Sequence, residues 1–212
     1  MQDKIAVAAQ TLGLDLIPKQ TAALANYLAL LHKWNAAYNL SALKSIDDML
    51  IKHVFDCLAV VPPIALRIAP YAQHSILDVG TGAGLPGVVL AICLPQAHIT
   101  MLDAVQKKIT FVRQAIGNLG LSNAQAHGTR IQDWTHTHSM VTARAWTALA
   151  DIPLLAQHAV AQGGCIAALK GPRLAAEAQT LPSGWHMSEV LDIAVPRLAE
   201  ARSLAILRRQ TH

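Results

Sequence analysis

The sequence predicts a doubly wound α/β domain with a mainly parallel sheet, closed by a C-terminal antiparallel hairpin and preceded by a helical cap. Three observations predict it. From Ser75 onward, short apolar runs alternate with stretches of helical period. The first of those runs enters a loop, ILDVGTGAGLPG (76–87), rich in glycine. The chain then ends on two strand-like segments joined by a turn around Pro196. With 212 residues, 53% hydrophobic and 14% charged, it is long enough for one substantial core and too apolar to stay disordered.

Residues 1–70 read as a helical cap packed on a main domain, 71–212. Leu24, Tyr27, Leu28, Leu31 and Trp34 recur on one helix face, with Pro18 suited to the first turn and Trp34 read as core. A second helix follows Ser45, whose hydroxyl can cap it, with Asp48 three positions on. Its apolar face is Met49, Leu50, Val54, Phe55 and Leu58, and Pro62-Pro63 is expected to end it. His53 and Asp56 share a helix face, which predicts a structural hydrogen bond between them.

The main domain follows in order. SILDV (75–79) is the first strand, and Pro86 can open the helix PGVVLAICL, which Pro95 stops. HITMLD (98–103) is the second strand. VQKKITFVRQAIGNL is a helix that Gly120 breaks, and AQAHG (124–128) is a third strand. MVTAR (140–144) is the fourth, a helix is expected over 148–161, and CIAALK (165–170) is the fifth. WHMSEVLDIAV and RSLAILR complete the hairpin.

Composition narrows the function classes. Apolar stretches such as VVLAICL (88–94) are too short to span a bilayer, 57–66 is interrupted by Pro62-Pro63, and no secretory signal precedes them. Cys57, Cys93 and Cys165 are odd in number and widely spaced, which fits a reducing cytoplasm without disulfides. The ten histidines do not fall into metal-ligand spacing, so no metal is expected, and His136 and His138 are placed in a polar turn. A net charge of +4 permits an acidic partner such as RNA without requiring one.

The glycine loop holds two patterns in overlapping registers. Asp78, Gly80, Gly82 and Gly84 spell D-x-G-x-G-x-G, while Gly82, Gly84 and Gly87 spell G-x-G-x-x-G. Glycines let the backbone turn sharply and approach a ligand closely. Asp103, 21 positions after Gly82, ends the second strand where an acid can bind a ribose diol. Together they point to a nucleoside-containing cofactor. A nicotinamide dinucleotide would set its pyrophosphate against the first helix, where Pro86 removes an amide. S-adenosylmethionine (AdoMet) has no phosphate, and Asp78 would either brace the loop or face its ammonium. The closing hairpin also favours the methyltransferase version of the sheet, a Rossmann-like AdoMet-dependent fold.

Seven ordered segments carry a resemblance: WNAAYNLSAL (34–43), KHVFDCLAV (52–60), ILDVGTGAGLPGVVLAI (76–92), LDAVQKKITFV (102–112), TARAW (142–146), GGCIAALKG (163–171) and VPRLAEARSLAIL (195–207). They cover nearly the whole chain, which resembles the family of ribosomal RNA small subunit methyltransferase G, also called glucose-inhibited division protein B. The resemblance implies AdoMet-dependent methylation of N7 of one guanine in 16S ribosomal RNA, as free RNA or within the small ribosomal subunit. It implies cofactor contacts from Gly80 and Leu85, ribose binding by Asp103, adenine flanked by Ile131 and Gln132, and Arg144 facing the cofactor and substrate crevice. Thr81, Gly82, Gly84 and Asp78 belong to the same loop. Gln132 stands where glutamate is common, Ala143 and Cys57 replace serines, and Ser139 replaces an aspartate.

Guanine N7 carries a lone pair and no proton, so its methylation needs no general base. That agrees with a sequence lacking an evident catalytic dyad. In the place of the aromatic, proline-rich motif of amino-methylating enzymes stands TARAWTAL, whose Arg144 either orients the guanine or simply pairs with an acid such as Asp56. Lys107, Lys108 and Arg113 on the helix after the second strand, with Lys170 and Arg173 after the fifth strand, are either solvated charges or phosphate contacts. Trp134 and Trp146 lie near the crevice, where a base can stack. A cytoplasmic monomer without membrane association is expected. The rival readings are a small-molecule methyltransferase, a dinucleotide-dependent oxidoreductase and a cofactor-binding protein without catalysis.

Overall fold

The structure, a computed structural model, describes residues 1–210 apart from Arg173, Ala178 and Gln179. The strands are β1 (Ser75–Val79), β2 (His98–Leu102), β3 (Ala124–His127), β4 (His138–Arg144), β5 (Val160–Lys170), β6 (Trp185–Asp192) and β7 (Ser203–Arg209). They form one sheet in the order β3-β2-β1-β4-β5-β7-β6, parallel as far as β5. β7 is antiparallel to both β5 and β6, which makes the predicted hairpin. The helices are α1 (Gln2–Thr11), α2 (Pro18–Tyr38), α3 (Ile46–Met49), α4 (Asp56–Leu58), α5 (Val61–Ile68), α6 (Gly87–Cys93), α7 (Gln106–Leu119), α8 (Asp151–Ala156) and α9 (Leu174–Glu177).

Successive strand residues point to opposite faces, so a sheet covered on both sides reads as a continuous apolar run. In β5, Cys165, Ala167 and Leu169 join the core beneath α2, α6 and α7, while Ile166 and Ala168 join a second core with Leu149, Ile152 and Ala156 around α8. Burying each large aliphatic side chain contributes roughly 1.5–3 kcal/mol. The N-terminal helices share the first core: Leu24, Tyr27, Leu28, Leu31 and Phe55 pack there with Ile76, Met101 and Met140. Trp34 is half-buried, its ring 5.6 Å from that of Phe111.

Several elements depart from the sequence expectation. Ser45 Oγ does accept the Asp48 N–H, at 3.4 Å. The helix it opens passes through a π-helical segment, Leu50–Phe55, before α4. It ends ahead of Pro62-Pro63, which open α5 instead of closing its predecessor. Prolines are accommodated in a first turn because those N–H groups have no intrahelical partner. The helix expected over 148–161 shrinks to α8 and a 3₁₀ turn at Gln157–Ala159, since Val160 already pairs with His138. Both halves bury apolar residues, so hydrophobicity alone does not mark the boundary. His138 is not in a polar turn: it begins β4, buried, with its ring against Trp134, and burial lowers its pKa to about 4. His136 does lie in the exposed connection.

By length and composition, Ile46–Ile68 would also pass for a membrane span, with a mean hydropathy of 1.7. In this fold 61% of that stretch's most apolar 18-residue window is buried inside the protein. Its apolar face is committed to the core.

Two polar contacts tie α2 to the main domain: Tyr27 Oη donates to the Ala83 carbonyl at 2.7 Å, and Gln20 Nε2 to the Ile92 carbonyl at 2.9 Å. Tyr27 is fully buried, and burial raises its pKa, so the phenol stays a donor. Tyr27→Phe leaves the ring packing intact but strands the Ala83 carbonyl. A loss of about 1–2 kcal/mol is expected in urea unfolding, with the fold retained by circular dichroism.

Candidate active site

β1 delivers its glycine loop to the crevice where the sheet order reverses, between β2 and β4. Gly80, Gly82 and Gly84 all have positive φ, at 65°, 60° and 91°. At Gly80 space adds to conformation: a Cβ would lie 2.3 Å from Trp146 Cδ1. The Thr81 N–H donates to the Leu102 carbonyl at 2.9 Å, pinning the loop to the end of β2.

Asp78 holds the loop from beneath. Its side chain is wholly buried, and Oδ2 accepts the Thr81 hydroxyl at 2.5 Å and the Gly87 N–H of α6 at 2.9 Å. Of the two roles open to it, it performs bracing. Burial pushes the carboxyl up to about 7, while the Thr81 and Gly87 bonds and the Arg144 charge pull it back down. Leu85, Thr81 and Gly84 are buried with it, forming the loop's underside.

Asp103 holds the loop from the other side. Oδ2 accepts the Gly82 N–H at 3.0 Å and Oδ1 the Val105 N–H at 2.9 Å, with Lys108 Nζ 3.6 Å away. Ionised, its two oxygens offer about four lone-pair sites, so both retain capacity for a further donor.

Above these groups lies a cavity of about 520 Å³, lined by Gly80, Asp103, Lys108, Ile131, Gln132 and Trp146 among others. Four of the predicted cofactor residues therefore meet here: Gly80, Asp103, Ile131 and Gln132. Trp146 roofs the turn. Trp134 instead stacks among the rings of His127, His136 and His138. Lys107 and Arg113 lie exposed on α7, with Arg113 Nε donating to the Ala126 carbonyl at 3.0 Å.

Arg144 ends β4 beside this cavity and lines a neighbouring one. Its Nη1 donates to Asp56 Oδ2 at 3.1 Å and to the Lys52 carbonyl at 3.2 Å, so the pairing with Asp56 is real. Asp56 Oδ1 accepts from Arg202 Nε at 3.0 Å. The hydrogen bond expected between His53 and Asp56 is absent: the Asp56 oxygens face Arg144 and Arg202, and the His53 ring is turned to other partners. His53 Nε2 lies 2.7 Å from Ser41 Oγ instead, and its Nδ1 3.4 Å from Arg144 Nη2. The π-helical segment, which changes the register of facing side chains, carries this histidine. Burial and the Arg144 charge lower its pKa to about 4, leaving the ring neutral. Lys170 Nζ donates to the Thr147 carbonyl at 2.8 Å and to Glu177 at 2.7 Å; Arg173 lies outside the described residues. Arg202 had no sequence signal beyond a charge at the start of the apolar run SLAIL.

The Asp78 carboxyl makes stability pH-dependent. Its pKa is raised from 3.8 to about 7, so between those values the folded chain holds a proton that the unfolded chain has released. This contribution is therefore present at acid pH and is lost as pH rises towards 7. In urea melts across that range, Asp78→Asn is expected to lose less stability with rising pH than the wild type. Parallel profiles would show that this carboxyl does not titrate there.

Comparison with known proteins places the chain. Residues 20–205 match the family model of rRNA small subunit methyltransferase G. A protein of that name from Ralstonia nicotianae is 42% identical over 211 residues, 97% of this chain and 94% of its own. One from Leptothrix cholodnii is 40% identical over 208 residues, 98% and 95% of the two chains. Among solved structures, TrmN from Thermus thermophilus superposes with a TM-score of 0.57 at 16% identity, over 73% of this chain and 49% of that one. A ribosomal protein L11 methylase from Lactobacillus delbrueckii subsp. bulgaricus gives 0.56 at 14% identity, over 73% and 78%. These two likenesses concern the fold, an α/β Rossmann-like methyltransferase fold; the sequence matches go further, and the chain belongs to the rRNA small subunit methyltransferase G family.

Proposed function

We propose that this protein transfers the methyl group of AdoMet to N7 of a guanine in 16S ribosomal RNA, as a monomer in the cytoplasm, without a metal and without membrane association. One observation carries the cofactor assignment: the buried Asp78 carboxyl occupies the start of α6 and takes its Gly87 N–H. The Gly84, Leu85 and Val88 N–H groups are also spent, on the carbonyls of Thr81, Thr81 and Gly84. A pyrophosphate would need those donors and would face a carboxyl. A phosphate-free nucleoside does not.

The residues present fit AdoMet. The cavity of about 520 Å³ suits a ligand of that size. Asp103 has acceptor capacity for the ribose hydroxyls, Ile131 offers an apolar surface to the adenine, and Gln132 an amide to its edge. Bound there, AdoMet supplies a methyl group already activated by its sulfonium. The chain's own contribution is to hold, align and exclude water. Lys108 places positive charge at the cavity mouth, and Lys107 and Arg113 extend it along α7 as phosphate contacts for RNA. In this reading residues 1–70 are a cap on the catalytic domain, 71–212, and steady the loop through Tyr27.

The deciding experiment is methyl transfer from labelled AdoMet to 16S RNA, intact small subunits and partly assembled particles, followed by mapping of the modified nucleotide. One N7-methylated guanine is expected. Stabilisation by NADH but not AdoMet in thermal melts would reverse the assignment. Asp103→Ala is expected to weaken AdoMet binding about 10- to 100-fold by calorimetry, the loss of hydrogen bonds to a charged group.

A further inference from the structure

A second cavity, of about 440 Å³, adjoins the first and shares Ala145 and Thr147 with it. It opens at the carboxyl ends of β4 and β5, with Arg144, Lys170 and Arg202 supplying three positive charges against Asp56 and Glu177. Both acids are already engaged: Asp56 by Arg144 and Arg202, Glu177 by Lys170 and the Leu149 N–H. Arg144 has donors to spare. Its Nη1 serves Asp56 and Lys52, but its Nε–H is buried and finds no acceptor among the described residues. Its Nη2 carries two N–H groups and among the described residues meets His53 Nδ1 at 3.4 Å, so in this cavity wall it retains a donor for a ligand's acceptor.

We propose that this second cavity receives the target nucleotide, withdrawn from its RNA stack, and that the free donor edge of Arg144 selects guanine through its O6. The proposal rests on the methyltransferase reading and names how the site recognises its base. The shared Ala145–Thr147 wall sets the purine's N7 side towards the cofactor cavity. O6 neighbours N7 on the same edge of guanine, so a base turned for methylation also presents O6 to the groups of that wall. Adenine carries an amino group at that position. It would offer a donor to a cationic donor and leave Arg144 still unpaired, the kind of mismatch that discriminates strongly. Lys170 has used two of its three donors, and Arg202 lies partly exposed at the rim, so both can take the nucleotide's phosphates. A concave cleft beside the cofactor cavity agrees with the way base-modifying enzymes take up a base drawn out of its stack.

The test replaces the target guanine in the RNA, once mapped, with inosine, 2-aminopurine or adenine, and measures single-turnover methyl transfer by the intact protein. Inosine keeps O6 and N7 and is expected to react within about threefold of guanine. 2-Aminopurine and adenine keep N7 but lack O6, and are expected to react about 10- to 100-fold more slowly. Equal rates for guanine and 2-aminopurine would overturn the proposal, as would inosine reacting as slowly as 2-aminopurine, which would show that O6 does not select the base. Arg202→Gln adds an independent reading: KM for RNA is expected to rise severalfold with AdoMet affinity unchanged. A weakened AdoMet affinity with unchanged RNA KM would assign the cavity to the cofactor. Absence of any transfer to the natural guanine would defeat the activity itself, so the two failures are distinguishable.

Discussion

The buried carboxyl of Asp78 links the glycine turn to the helix behind it, and the crevice depends on that link. Three positive-φ glycines at alternate positions leave a loop that many backbone conformations could satisfy. Asp78 removes that freedom by accepting from Thr81 within the turn and from Gly87 at the start of α6. Asp103 completes the constraint by taking the Gly82 N–H from the side of β2. Burying a carboxyl is costly, and here the cost appears as a pKa raised to about 7. In return the same group closes the helix start to phosphate. One side chain both shapes the loop and excludes the competing class of cofactor.

A second buried carboxylate organises the neighbouring cavity. Asp56 joins Arg144 at the end of β4 to Arg202 at the entry to β7, so three distant segments meet on one side chain. Such a pair is weak evidence of net stability, because desolvation offsets much of the attraction. Its effect is directional. With Nη1 fixed on Asp56 and the Lys52 carbonyl, the guanidinium can turn neither towards nor away from the crevice. The neutral His53 ring beside Nη2, anchored on Ser41, adds no competing charge. This places a cationic donor next to a reaction that requires no base, where alignment is the protein's main contribution.

The N-terminal helices take part in the same arrangement. α2 reaches the glycine loop through the Tyr27–Ala83 bond, and the π-helical segment brings Lys52 and His53 to Arg144. Loop and arginine are each held from the cap as well as from the sheet. A stretch apolar enough to resemble a membrane span, 46–68, is in fact the means by which the cap is bonded to the core.

The sequence by itself determined the sheet's composition, the hairpin, the glycine turn and the place of Asp103, because strand periodicity, glycine spacing and a fixed offset are local properties of the chain. It also named Asp56 as a partner for Arg144, but could not choose between that role and a role towards substrate; the geometry shows the first and leaves Arg144 a donor for the second. Only the tertiary structure decided that Asp78 braces the loop, that His53 faces Ser41 and not Asp56, and that Pro62-Pro63 begin a helix. It alone brought in Arg202, which meets Asp56 from far along the chain. Those outcomes depend on which buried polar atoms find partners across the fold, and hydrogen bonds between distant segments leave no period or spacing in the sequence.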